Sequence, residues 1–424
     1  MLTVVAGVNW GDEGKGRMVD MLAEGYDVIC RYQGGNNAGH TVVNDLGKFV
    51  LNLLPSGILR GGVTNVMGAG MVIDLEHLCG EITALSKRGV AISEANLKIS
   101  DRAFISMPYH KMQDILEEDR LRDKKYGSTR RGIAPAYGDK YSKKGLRMGD
   151  LLNFDTLGQK LASILEWKNQ ILKSYDASAG VDYGDMMGWL GEFGKKLAPY
   201  VIDATPYLNG CVRDGKNILF EAQLGALRDI DYGIYPFTTS SQTLASYATT
   251  GAGIPGAKAD LVVGVMKAYS SCVGEGPFVV EMSGDEAAAL REAGAEYGAA
   301  TGRPRRVGAF DIPASRFGIA AQGADEIAFT KLDVLSYMDK IPVCVAYRID
   351  GALCGDFPSG DRLLRAEPVF EYLDGFKADI SKCRKPCDLP EAALKYIRYI
   401  EDAVGCPVKY VSVGAGREDY LMMG

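Results

Sequence analysis

The chain has 424 residues, 47% hydrophobic, 24% charged and 9% aromatic, and this ordinary globular composition excludes a disordered or fibrous protein. Its 48 Lys and Arg against 54 Asp and Glu give a formal charge of −6. That balance excludes a general nucleic-acid binder, because phosphate neutralisation needs clustered basic charge.

In chain order, Leu2–Val8 is a β-rich apolar run, followed by a glycine-rich loop and a helix-like stretch over Met18–Glu24. Val28–Arg31 reads as the next strand. Further buried strands are expected at Val63–Met67, Val72–Ile73, Leu97–Ile99, Ile218–Phe220 and Leu261–Val265, with late ones at Glu326–Thr330, Val343–Tyr347 and Val408–Val413. Helical patterns such as Leu75–Arg88 and Glu286–Ala293 lie between them. Alternation of this kind predicts an α/β fold with a mainly parallel central sheet and helices on both faces. Residues 108–205 differ: the amphipathic stretches Tyr109–Leu121, Phe154–Ser174 and Met187–Leu197 predict a helical insertion over the sheet. No repeat or linker divides the chain, so residues 1–424 are expected to form one elaborated α/β unit. Nine cysteines form no CxxC pair, and Cys383 and Cys387 have no second pair or nearby histidine to complete a metal set. Free thiols, no leader pattern and no membrane-length apolar run make the cytoplasm the expected location.

Two loops carry chemistry. Residues 11–17 read Gly-Asp-Glu-Gly-Lys-Gly-Arg between a strand and a helix, where backbone N–H groups and the helix start can meet phosphate oxygens and Lys15 adds a point charge. The spacing is not that of the usual phosphate loop, since six residues separate Gly7 and Gly14 and no Ser or Thr follows Lys15. Asp12 is then the nearest hard oxygen donor for Mg²⁺. Residues 33–41 read Gln-Gly-Gly-Asn-Asn-Ala-Gly-His-Thr after the next strand. His40 sits there among small residues at a strand end, where open α/β sheets place ligands and an imidazole can serve a reacting oxygen. His77 and His110 fall in helical contexts and read as packing or surface residues.

Gly11-Asp-Glu-Gly-Lys-Gly16 together with Gly34-Gly-Asn-Asn-Ala-Gly-His-Thr41 resembles the adenylosuccinate synthetase family. The resemblance continues through Gly127-Ser-Thr-Arg-Arg-Gly-Ile-Ala-Pro-Ala-Tyr137 and Asp229-Ile-Asp-Tyr-Gly-Ile-Tyr-Pro-Phe-Thr-Thr-Ser-Ser241. It includes Val273-Gly-Glu-Gly-Pro-Phe278, Thr301-Gly-Arg-Pro-Arg-Arg306 and Thr330-Lys-Leu-Asp333, in family order over nearly the whole chain. It implies a fold like that of the P-loop NTPases and a homodimeric ligase of purine biosynthesis, joining L-aspartate to IMP with GTP and Mg²⁺ through a 6-phosphoryl intermediate.

By that resemblance Asp12 is the base and, with the Gly39 carbonyl, a metal ligand, while His40 steadies charge on the transferring group and on O6. Gly11, Glu13, Gly14, Lys15, Gly16, Arg17, Thr41 and Arg305 hold GTP phosphates. Lys331, Leu332, Asp333, Gly414, Ala415 and Gly416 hold the guanine end, with Asp333 accepting from ring hydrogens that adenine lacks. Asn37, Ala38, Gly39, Thr129, Lys143, Gln223, Thr239 and Arg303 are implied for IMP, with Lys143 reaching a neighbouring subunit's site. Thr301, Gly302, Arg303 and Arg305 are implied for aspartate.

Several positions depart from the family pattern. Asn9 stands for a glutamine, Ser128 and Arg130 for a threonine and a glycine, and Lys143 for an arginine. Cys272 stands for another arginine, Ala309 for a tryptophan, and Gly414-Ala-Gly416 for Gly-Pro-Asp. Glu221-Ala-Gln-Leu-Gly225 leaves Gln223 and Leu224 as alternatives for the base contact. These changes cluster on nucleotide-monophosphate and loop contacts, so ligation on another 6-oxopurine nucleotide such as dGMP, or GTP binding without catalysis, are the competing readings. A phage-type relative acting on dGMP lacks the aspartate at the Asp12 position, and its presence here points away from that group.

Overall fold

The computed structural model describes residues 1–298, 302 and 304–424. A ten-stranded sheet forms the centre. Its strands in chain order are β1 (Leu2–Gly7), β2 (Val28–Arg31), β3 (Thr64–Met67), β4 (Leu97–Ser100), β5 (Val201–Ile202), β6 (Ile218–Gly225), β7 (Leu261–Lys267), β8 (Glu326–Thr330), β9 (Val408–Ser412) and β10 (Tyr420–Met422). Their spatial order is β10-β9-β8-β7-β1-β6-β2-β3-β4-β5. Every pairing is parallel except that of β9 with β10. β1 is buried along its whole length, as the continuous apolar run Leu2–Ala6 requires of a central strand covered on both faces.

The path of the chain places the site. After β1 the chain crosses to β2, leaving a gap that β6 fills later, and continues outward to β5. After β6 it changes sides and builds β7, β8 and β9 on the other flank of β1. Loops following β1, β2, β6, β7, β8 and β9 therefore emerge at one edge of the sheet on either side of this reversal, where open α/β sheets form their ligand crevice.

Helix α1 (Lys15–Leu22) begins earlier than the apolar pattern predicts, because Gly14 takes the left-handed conformation (φ 100°) and turns the loop directly into the helix. Helix α2 (Leu75–Ser86) is capped by Asp74, whose carboxylate accepts from the His77 N–H at 3.0 Å. Residues 108–205 contain α3 (Pro108–Leu121) and α5 (Phe154–Tyr175), as the periodicity predicts, and α4 (Ile133–Tyr141), which it does not single out. Leu157, Leu161 and Leu165 of α5 share one apolar cluster with Leu97 and Ile99 of β4, so these helices are seated on the sheet. The same stretch also supplies β5, whose two residues are too short a run to stand out against its helices.

Two of the expected strands form outside the central sheet, and one hairpin is unexpected. Val72–Ile73 lies outside the central sheet and pairs with Phe104–Ile105. Val343–Tyr347 belongs to Lys340–Ile349, the centre of a second, mixed sheet with Phe310–Asp311, Ala352–Cys354 and Glu367–Asp374. Its alternating burial marks a strand with one covered face, which apolar content alone does not separate from a central one. His40–Asn44 and Gly47–Leu51 form a hairpin that the pattern left as loop, closed by the two residues Asp45 and Leu46 with Gly47 at φ 109°.

Candidate active site

The loop after β1 is held from within. The Glu13 carboxylate accepts from the backbone N–H of Gly11 (2.7 Å) and Asn9 (3.2 Å) and pairs with Lys15 Nζ (2.5 Å). Both side chains are buried. Glu13 thus shapes the loop by its side chain, and Lys15 is a charge fixed inside the loop rather than a free surface lysine. The Glu13 carbonyl accepts from Thr330 Oγ1 at 2.6 Å, tying this loop to the end of β8. Asp12 has φ 59°, a conformation that Asp tolerates better than most residues, and its carboxylate is partly exposed. Its Oδ2 lies 2.9 Å from Arg305 Nη2.

His40 opens the hairpin and meets α1 at Gly16. A Cβ on Gly16 would stand 2.5 Å from His40 Cβ, so only glycine lets the second loop close on the first. His40 Nδ1 makes a short hydrogen bond to Glu221 Oε1. Glu221 also accepts from the Ser56 N–H (2.7 Å) and Ser56 Oγ (2.6 Å). Arg31 is fully buried nearby, with Nε and Nη1 unpartnered. Burial by itself would raise the Glu221 carboxyl, but His40, Arg31 and the Ser56 bond outweigh it and keep it anionic. Burial pushes the His40 imidazolium below its ordinary range against the pull of Glu221. With Nδ1 engaged, Nε2 is the nitrogen left to meet a ligand, and its orientation is set by a carboxylate from a different strand.

Gln223 is the residue of its pair that faces the second loop. It is buried, accepts from the Gly35 N–H at 3.0 Å and donates to Asn37 Oδ1 at 3.1 Å. Leu224 takes φ 63° beside Gly11. Gly34 (φ 85°) admits Gln223, since a Cβ there would lie 1.8 Å from Gln223 Oε1. Ala38 is half-buried and its carbonyl accepts from Asn52 Nδ2 at 3.0 Å. Thr41 pairs with Val50 in the hairpin.

Thr129 is exposed on the loop before α4, which Asp114 anchors by accepting from Ser128 Oγ (2.6 Å) and the Gly132 N–H (2.8 Å). Ser128 is therefore a loop anchor, and Arg130 pairs with Asp119 at 2.8 Å. Thr239 is half-buried beside Arg228, to whose carbonyl its N–H donates. Arg228 Nη2 lies 3.0 Å from Cys272 Sγ, so the thiol sits against a guanidinium where the family pattern has a second arginine.

At the other end, Asp333 lines a cavity of about 370 Å³ with Ser336, Tyr337, Lys377 and Asp379. Its Oδ1 is buried without a partner, and burial pushes its carboxyl up. A buried acceptor without a partner, in a residue that lines a cavity, is what a base carrying ring N–H groups can satisfy. Lys331 precedes it at φ 59°, and Leu332 is fully buried. Arg17 of α1 reaches Ser412 Oγ and the Gly414 carbonyl (both 2.5 Å), joining the first loop to Gly414–Gly416. Ala415 is exposed at the tip, and the Gly416 N–H donates to Asp419 at 2.8 Å. Lys143 (φ 61°) is exposed after α4, remote in the chain from these loops. Thr301 and Arg303 lie outside the described residues, and Gly302 is exposed at φ 64°.

Glu221 escaped the reading of single residues, although a carboxylate inside the apolar run Ile218–Ala222 is itself a signal, since such a charge is buried only with a partner. Ser56 and Glu296 carry no signal of that kind.

A parallel sheet whose carboxyl edge gathers a glycine phosphate loop, a carboxylate-held histidine and an open acidic acceptor defines a nucleotide-dependent enzyme of the phosphate-loop α/β class. A model of the adenylosuccinate synthetase family matches residues 4–421. The adenylosuccinate synthetase of Caldanaerobacter subterraneus subsp. tengcongensis is 43% identical over 100% of this chain and 99% of its own. That of Halothermothrix orenii is 45% identical over 99% and 97%. The fully ligated adenylosuccinate synthetase of Plasmodium falciparum superposes with a TM-score of 0.94 at 36% identity, covering 100% of this chain and 99% of that one. The cyanophage S-2L succinoaminodeoxyadenylate synthetase shares the fold, with a TM-score of 0.62 at 19% identity over 99% and 95%. The chain belongs to the adenylosuccinate synthetase family.

Proposed function

We propose that the chain is a GTP-dependent ligase joining L-aspartate to C6 of IMP in purine biosynthesis, with Asp12 as base and His40 steadying the reacting oxygen. The observation that carries this is the gathering of Asp12, Lys15, His40 and Asp333 from three separate loops at one sheet edge, in a chain of this family. An amide-like O6 is a poor leaving group. Removing the N1 proton lets O6 attack the γ-phosphorus of GTP, the Pγ–O bond to the β-phosphate breaks, and GDP departs. The amine of aspartate then adds at C6 and phosphate leaves. Such phosphoryl transfer needs positioning and charge neutralisation more than covalent help.

Asp12 offers a partly exposed carboxylate, and the Gly39 carbonyl accepts no hydrogen bond among the described residues. One carboxylate, one carbonyl and substrate oxygens suit Mg²⁺ better than a dedicated protein cage, and no cluster of three or more ligating side chains occurs among the described residues. When bound, Mg²⁺ neutralises charge on the phosphate oxygens. Asp12 holds the proton taken from N1, and the loop amides with Lys15 hold phosphate. Arg305 and Arg303 take the carboxylates of aspartate with Thr301 and Gly302. Asn37, Gln223, Thr129 and Thr239 line the monophosphate side.

The departures from the family pattern fall on nucleotide-monophosphate and loop contacts, among them the stretch around Gln223. A panel of IMP, GMP and dGMP, each with GTP, Mg²⁺ and aspartate, is therefore the test. IMP is expected to give the purine ultraviolet change with the highest kcat/KM. Silence with IMP at saturation would reject the proposal, and turnover of dGMP above IMP would transfer the chemistry to that substrate.

The same proposal makes the working enzyme a cytoplasmic homodimer, supported by nine free cysteines and by the exposed Lys143. Mass measurement in solution at assay concentration is expected to give twice the chain mass. A fully active monomer refutes the borrowed lysine.

A further inference from the structure

Glu296 precedes the segment 301–305 that carries the proposed aspartate contacts, and nothing in the chemistry above uses it. It is fully buried. Its Oε1 accepts from Lys267 Nζ (2.8 Å), Tyr269 OH (2.5 Å) and Lys331 Nζ (2.8 Å), and its Oε2 accepts from Arg305 Nη1 (2.8 Å). These partners come from the end of β7, the loop after it, the loop after β8 and the residue just before the strand Arg306–Gly308. The backbone repeats the link, because the Arg305 N–H donates to the Glu296 carbonyl at 2.9 Å. Burial alone would push the Glu296 carboxyl up, but Lys267, Lys331 and Arg305 hold it well below the usual range, so four donors converge on a permanent anion.

The guanidinium of Arg305 shows what this serves. Nη1 is taken by Glu296 and Nη2 by Asp12, while Nε is buried with no acceptor. Nε and Nη2 form the edge of a guanidinium that matches a carboxylate with two parallel hydrogen bonds. One half of that edge is unfilled and the other is occupied by Asp12, a group the proposed reaction needs elsewhere.

We infer that Glu296 is a positioning residue: it clamps the far nitrogen of Arg305 so that the Nε–Nη2 edge is presented to a carboxylate of the amino-acid substrate once Asp12 lets go. This rests on the reading that Arg305 binds aspartate. Without Glu296 the guanidinium would have only Asp12 to hold it among the described residues, and substrate binding would have to order the side chain and break that pair together. The bond from Lys331 to the same carboxylate makes the clamp common to the guanine side and the aspartate side of the site.

Steady-state kinetics on the intact enzyme tests it with Glu296→Gln, Arg305→Lys and the double variant. Glu296→Gln is expected to raise the KM for aspartate about 10- to 100-fold, the range of one charge-assisted hydrogen bond, with the KM for IMP changed by less than about threefold. Arg305→Lys raises the aspartate KM as well, and the double variant is no worse than the poorer single, because both remove one contact. An aspartate KM that rises with Arg305→Lys but not with Glu296→Gln, or penalties that simply add, overturns the clamp. An aspartate KM unmoved by Arg305→Lys instead overturns the underlying reading of Arg305. If Glu296→Gln does not fold, Tyr269→Phe removes a single donor from the same carboxylate. It is expected to raise the aspartate KM severalfold and leave that for IMP unchanged, and an equal loss for every substrate would assign Glu296 to stability alone.

Discussion

Asp12→Asn is expected to lower turnover by about 1,000-fold or more, while GTP or GDP binding weakens far less, since a general base accounts for roughly 100- to 10,000-fold and this residue is also the proposed metal ligand. Asn is the cleaner change. It tolerates the left-handed backbone at φ 59° and keeps an oxygen for Arg305, but it cannot carry the N1 proton. Asp12→Ala adds backbone strain of about 1 kcal/mol at the same position, which would blur a stability effect into a catalytic one. Nucleotide affinity should persist, because Lys15 and the loop amides are held by Glu13, whose bonds to Gly11 and Asn9 do not involve Asp12. Turnover followed by the purine ultraviolet change, beside calorimetric titration with GDP, measures both. Wild-type turnover in Asp12→Asn would remove the base from the proposed chemistry, and loss of GDP binding with turnover would reduce Asp12 to a structural member of the loop.

Glu221→Gln is the second large effect, expected to cost about 100- to 1,000-fold in turnover through a residue placed to touch no substrate. A neutral amide offers Nδ1 either an oxygen or an NH₂ group, so the ring loses its fixed tautomer and orientation together with the negative charge that favours its protonated form. The change also weakens the charge balance around the buried Arg31, to which Glu221 contributes more than Glu81, so the melting temperature should fall as well. The catalytic part is separated by a double-variant cycle: His40→Asn combined with Glu221→Gln should be no slower than His40→Asn alone, because the carboxylate acts through the ring. Multiplying losses would mean that Glu221 works independently of His40.

Both effects turn on contacts of different legibility. The loop bearing Asp12 could be read directly, because Gly11, Gly14 and Gly16 around Lys15 form a local turn between a strand and a helix, and turn chemistry is decided by neighbours in the chain. Pairing of His40 with Glu221, 181 residues away, could not. The apolar run Ile218–Phe220 predicts a strand but not that it inserts between β1 and β2, which alone brings Glu221 beneath the histidine. The clamp of Glu296 on Arg305 is shorter in sequence but depends equally on Lys267 and Lys331 arriving from two neighbouring strands.

Taken by itself, the amino-acid order determined the α/β class, the phosphate loop, most central strands and, through seven ordered motifs, the family. Tertiary structure alone decided the strand order, the transfer of Val343–Tyr347 to a second sheet and which buried charges meet. Periodicity and turn signals act over a few residues, whereas sheet neighbours and buried ion pairs are chosen by the whole chain competing to cover its apolar faces and neutralise what it buries.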